Sequence, residues 1–200
     1  MNLKTPLYLI PTVLALLLAV AGCSKQEAAA PAAPAAAAPA KRAVSLDIMA
    51  AEAKGFAAGA VMSANTVYVF FDPQCPHCGH LWQSSLPLQN KVKFVWVPVA
   101  FISPVSGPQG AALLSSANPV QAMTEHEAAL LNRQGGISAA ASPPADLLEA
   151  IRKNTALLNE FGVESVPYVV AKNAQTGKLD MRSGAMDTMA LAQFLGVSAP

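Results

Sequence analysis

Cys75-Pro76-His77-Cys78 is the segment of this 200-residue chain whose residue types and spacing carry chemistry. Thiols separated by two residues stand about one helical turn apart, close enough to join without moving the backbone. The apolar run Thr66-Val67-Tyr68-Val69-Phe70-Phe71 gives way to Asp72-Pro73 just before them, and a helical pattern follows. Cys75 therefore falls at a helix N-terminus, where unpaired N–H groups and the positive end of the helix dipole favour a thiolate. Pro76 suits the first helical position, where a missing N–H loses nothing. This pattern makes Cys75 the attacking thiolate and Cys78 the resolving thiol, more buried and harder to ionise. His77 between them, when cationic, stabilises the thiolate further and makes the disulfide more oxidising, at some cost in nucleophilicity.

Other chemistry for the pair fares less well. A zinc site needs a second half, and only His77, His80 and His126 remain as nitrogen donors. Copper(I) on Cys75, Cys78 and His80 suits soft thiolates and stays as an alternative. Covalent haem requires histidine directly after the second cysteine, but Gly79 intervenes. His80 and His126 read as solvated helix residues. The expectation is a dithiol without metal or cofactor. A second signal is Gly162-Val163-Glu164-Ser165-Val166-Pro167-Tyr168-Val169, where proline just precedes a strand pattern, a place tolerated at a sheet edge or as a cis bond.

Residues 1–22 read as a secretion signal, with Lys4 as the positive region, an apolar stretch from Leu7 to Val20, and small residues leading to Cys23. Val20-Ala21-Gly22-Cys23 resembles a bacterial lipobox, which implies lipidation of Cys23 and a lipid anchor in a bacterial membrane, facing the periplasm. Several acyl chains hold a protein stably where one does not. The periplasm is oxidising, and with Cys23 taken by lipid the three cysteines leave one pair. That pair has no further cysteine to partner it, and a loop so small gains little stability from closure. It is there for chemistry. Residues 23–43 form an Ala/Pro-rich tether, with prolines 31, 34 and 39 interrupting the alanine runs. A disordered spacer of this kind has no face to bury, so the domain at 44–200 is expected to be a monomer. The formal net charge is +1 and no segment concentrates Lys and Arg, which argues against nucleic acid as a partner.

Around the dithiol the elements alternate. Val44 to Ala60 reads as an Ala-rich helix with Leu46, Met49, Ala53 and Phe56 near one face. Residues 66–71 read as a fully buried strand, the helix from Pro76 runs to a kink at Pro87, and Val92 to Val99 is the next strand, parallel to the first. A helical insertion covers about 108–161. Asn118-Pro119 opens one of its helices and Ser142-Pro143 repeats that device for another ending at Gly162. Strands at 168–171 and 179–182 follow, and Asp187 caps a last helix. This is an α/β chain in the order of a thioredoxin-like fold with helices inserted in its middle.

The residues TVYVFFDPQCPHC, VPVAFISPVSGPQGAALLSS and GVESVPYVV resemble the catalytic domain of DsbG and, less closely, DsbC, the periplasmic thioredoxin-fold disulfide isomerases and reductases. The resemblance runs from about Asn65 to Gly196. It implies thiol–disulfide interchange on exported proteins with cysteines, with Pro167 as a cis-proline beside the dithiol. The backbone of Val166 would then receive an extended client segment as an added strand. It also implies a membrane electron donor of the DsbD type. Family members carry a separate N-terminal dimerisation domain, whereas a tether stands in its place here. Valine before the proline and the tetrapeptide Cys-Pro-His-Cys are features of the oxidase DsbA, which keeps a disulfide oxidase as the alternative.

Overall fold

The computed structural model describes residues 41–200. The expected signal, Cys23 and most of the tether lie outside those residues. A five-stranded sheet in the order β1-β3-β2-β4-β5 organises the domain, from β1 (Phe56–Gly59), β2 (Thr66–Phe71), β3 (Lys93–Pro98), β4 (Tyr168–Lys172) and β5 (Leu179–Ser183). β2 and β3 run parallel, as the intervening helix requires, and the other three pairings are antiparallel.

β2 is apolar throughout because both faces of the sheet are covered. Val67, Val69 and Phe71 point into one core with Trp82, Trp96, Leu113 and Met123. Tyr68 and Phe70 point into the other with Met49, Val97, Leu157 and Leu158. The period-two alternation of a strand thus feeds two layers. On the first face lie α2 (Pro76–Ser85), α4 (Pro119–Leu131) and α6 (Thr188–Leu195); on the second lie α1 (Leu46–Glu52) and α5 (Ala145–Glu160). A 3₁₀ turn over Leu86–Leu88 ends α2, and α3 (Ser106–Ser115) packs on α5 and α4.

Two expectations are corrected here. The helix read over Val44 to Ala60 stops at Glu52, and Phe56 to Gly59 is an edge strand paired with β3. Glycines at 55 and 59 weaken a helix at both ends of that segment, and Gly59 takes φ +90°. Phe56 meets Phe71 edge to face at 6.3 Å between ring centroids, so its burial comes from the sheet. Ser142 does not cap α5, which begins at Ala145 after Pro144 without a side-chain cap. A residue before proline is pushed out of the helical region, and the pair Pro143-Pro144 excludes Ser142 and Pro143 together. Asn118 and Asp187 do cap their helices, accepting from Gln121 N at 3.2 Å and Ala190 N at 2.8 Å.

Candidate active site

Cys75 stands at the end of the loop that leaves β2 and is the N-cap of α2, in extended backbone (φ −98°, ψ 108°), with Pro76 at the first helical position. Its N–H donates to Asp72 O at 2.9 Å, and its own carbonyl receives Cys78 N at 2.9 Å, the first bond of the helix. Both cysteines are thiols, Cys75 4% exposed and Cys78 fully buried. Burial alone would raise both. Cys75 is nevertheless lowered to about 7, chiefly by a hydrogen bond from the Cys78 thiol and also by the backbone N–H groups of Cys78 and His77. Cys78 is raised well above the ordinary thiol range by burial, by its donation to Cys75 and by the charge there. One thiol is thus ready to attack at neutral pH and the other is held protonated.

The loop before β4 completes the surroundings. The Val166–Pro167 peptide is cis, and the Cys75 thiol donates to Val166 O at 3.5 Å, across 91 positions of sequence. Val166 is half-buried and Pro167 buried. His77 supplies its backbone N–H, while its imidazole is exposed and faces that of His80 at 6.4 Å between ring centroids.

Three segments hold the Cys75 loop in place, and sequence reasoning read none of them as part of the site. The fully buried carboxylate of Asp72 accepts Gln74 N at 2.9 Å and Ser106 Oγ at 2.6 Å on one oxygen. Its other oxygen accepts Phe101 N at 2.9 Å and Ile102 N at 3.0 Å. One side chain therefore joins the β2–α2 loop to the β3–α3 loop. Gln74 Nε2 and Gln109 Nε2 both donate to Gly135 O, and Gln74 Nε2 donates to Gln109 Oε1 at 2.6 Å. His126, expected to be solvated, is fully buried. Its Nδ1 accepts Ile137 N at 3.1 Å, which leaves Nε2–H to donate to Pro73 O at 2.7 Å. Desolvation lowers its affinity for a proton, partly offset by the Pro73 carbonyl. Both ring nitrogens are committed, so His126 is a brace rather than a ligand. Beside it, Glu127 is fully buried with no hydrogen-bond partner on either oxygen, and desolvation raises it to about 9. The Asp-Pro turn hinted at Asp72; nothing local marked His126 or Glu127.

A family model described as a thioredoxin-like domain matches residues 60–197, which takes in the dithiol, the insertion and Pro167. The chain belongs to the thioredoxin-like domain family. This thioredoxin-like domain is 32% identical over 144 residues to the thiol:disulfide interchange protein DsbG of Pseudomonas aeruginosa, covering 69% of this chain and 54% of that one. It is 30% identical over 108 residues to DsbG of Escherichia coli, covering 52% and 42%. The chain spans about half the length of these curated relatives. Among solved structures it is similar to a periplasmic thioredoxin-like protein from Salmonella enterica serovar Typhimurium. The TM-score there is 0.60 at 18% identity, over 77% of this chain and 97% of the other. That likeness shows the shared fold.

Proposed function

We propose that this domain exchanges thiols and disulfides on exported proteins, as a reductase or isomerase of the DsbG type. The observation that carries the reading is the asymmetry of the dithiol: Cys75, lowered to about 7, faces Val166 O, while Cys78 lies buried behind it and protonated. Cys75 thiolate attacks one sulfur of a client disulfide and expels the other as a thiolate, giving a mixed disulfide. Cys78 then loses its proton and attacks Cys75 Sγ, releasing the second client thiol and closing the Cys75–Cys78 bond. For isomerisation the expelled client thiolate, or another thiol of the client, attacks the mixed disulfide instead and returns Cys75 unchanged. The backbone at Val166 and Pro167 would hold the client segment extended beside the sulfur. The oxidised form is returned to the dithiol by a membrane electron donor of the DsbD type.

The same proposal places the protein in the periplasm, anchored through lipid on Cys23 after loss of residues 1–22, with 23–43 as its tether. Incorporation of labelled fatty acid, lost in Cys23→Ala, tests the anchor. The activity is tested with a peptide disulfide and purified protein. Cys75→Ser should abolish thiol release, and Cys78→Ser should accumulate a one-to-one mixed disulfide. Full turnover by Cys75→Ser would overturn the reading.

A further inference from the structure

Glu127 is the buried ionisable group near the dithiol that the exchange just described leaves without a task. α4 carries it directly onto the first turn of α2. A Cβ added at Gly79, the residue after Cys78, would come within 2.6 Å of Glu127 Oε2. Gly79 is therefore the position whose bareness admits the carboxyl. Neither oxygen finds a hydrogen-bond donor, and the residue is fully buried. An unpartnered carboxylate there would be very costly, so the group is held as the neutral acid. The charge of Cys75 adds to that effect, and Glu127 in turn acts on Cys78.

Every other titratable group on the elements packed against α4 is accounted for. α2 brings Cys75 and Cys78, with His77 and His80 exposed to solvent, while α3 and β1 bring none. On α4 itself, His126 turns both nitrogens to backbone groups of Pro73 and Ile137, and Glu125 is exposed.

The geometry points to Glu127 as the proton-exchanging partner of Cys78 during opening and closing of the disulfide, an inference that rests on the interchange reading. When an incoming thiolate attacks Cys75 Sγ, the Cys75–Cys78 bond breaks and its electron pair goes to Cys78 Sγ. That sulfur is buried and unstable as a thiolate. The neutral carboxyl of Glu127 gives it a proton, leaving a mixed disulfide at Cys75, a thiol at Cys78 and a carboxylate that reloads from solvent. In the reverse step Glu127 first gives up its proton to solvent, and the carboxylate so formed takes the Cys78 proton as Cys78 attacks Cys75 and the thiolate departs.

The test compares two attacks at the same sulfur. In oxidised full-length protein, a peptide thiol attacks Cys75 and expels Cys78, followed by acid quench and mass analysis of the mixed disulfide. In a Cys78→Ser background carrying a preformed Cys75–peptide disulfide, the same thiol attacks Cys75 and expels peptide. Glu127→Gln should slow the first reaction about tenfold or more and leave the second within twofold. Per unit of peptide thiolate, opening of the unsubstituted protein should decline with rising pH as Glu127 loses its proton, and Glu127→Gln should be flat. Equal opening rates and equal profiles for the two proteins would overturn the proposal. Should Glu127→Gln not fold, Glu127→Asp decides through the same decline, its presence in support and its absence against. Failure of the thiol to form any adduct at Cys75, in either protein, would sink the interchange reading and this inference together.

Discussion

Replacing Cys78 with alanine removes the hydrogen bond that contributes most to the low pKa of Cys75, and the consequence is calculable. Cys75 titrates at about 7, with the Cys78 thiol as the largest lowering cause. A hydrogen bond to a charged acceptor is worth about 1.5–3 kcal/mol, so its loss should move the midpoint of Cys75 to between about 8 and 9. At pH 6 the thiolate fraction then falls about 9- to 90-fold, while each remaining thiolate is about 3- to 8-fold more nucleophilic. Cys78→Ala should therefore alkylate about 3- to 10-fold more slowly than the unsubstituted protein at pH 6. At pH 10, where both are ionised, it should react about 3- to 7-fold faster. Rates of iodoacetamide alkylation of reduced protein, followed by mass from pH 5 to 10, give both arms, and the curves should cross. Cys78→Ser retains a donor and should stay nearer the parent curve. Simple damage to the fold would shift both arms in one direction. Superposed profiles for Cys78→Ala and parent would refute the assignment of Cys78 as the donor.

Other outcomes follow from the braces around the dithiol. Asp72→Asn keeps one oxygen for the four donors that Asp72 now accepts, and should cost about 3 kcal/mol in urea unfolding at pH 7. Glu127 is raised to about 9 in the folded protein, so its contribution is complete below its ordinary value of 4.5 and is lost as pH rises through 9. The urea midpoint of Glu127→Gln should accordingly fall less than the parent's between pH 5 and 9. His126 has the opposite sign: its folded pKa lies below 6.5, so the stability from its neutral form is present above that pH and lost on acidification. His126→Gln should show a shallower loss of stability below pH 6.5 in the same assay. Phe70→Ala, at a fully buried position on β2, should cost about 3–5 kcal/mol.

The parts of the site readable from sequence are those whose meaning is local. Cys75 and Cys78 sit one turn apart in any helix, Pro76 marks where that helix starts, and the apolar run of β2 announces a sheet covered on both sides. Asn118 and Asp187 cap because capping needs only the next three residues. Other features depend on what arrives from elsewhere in the chain. Phe56 to Gly59 is four residues long, too short for alternation to outweigh the alanines around it, and becomes a strand because β3 offers an open edge. His126 and Glu127 lie in Thr124-Glu125-His126-Glu127, whose polarity reads as a solvated helix face. Their burial is decided by α2 and by the Gly135–Ile137 turn. Asp72 looked like the punctuation of a turn, and its three further donors come from residues 101, 102 and 106.

The Gln74–Gln109–Gly135 and His126–Pro73 contacts tie the helical insertion to the backbone immediately before Cys75. The inserted helices are thus part of the frame that sets the sulfur, and the tetrapeptide is only its visible tip. Transplanting Cys-Pro-His-Cys into a thioredoxin-like scaffold without this insertion would carry over the letters and leave behind the braces and the acid. A trimmed domain ought to keep a dithiol of different redox character. For engineering, the transferable unit is α2 with α3, α4 and the 135–137 turn, moved together.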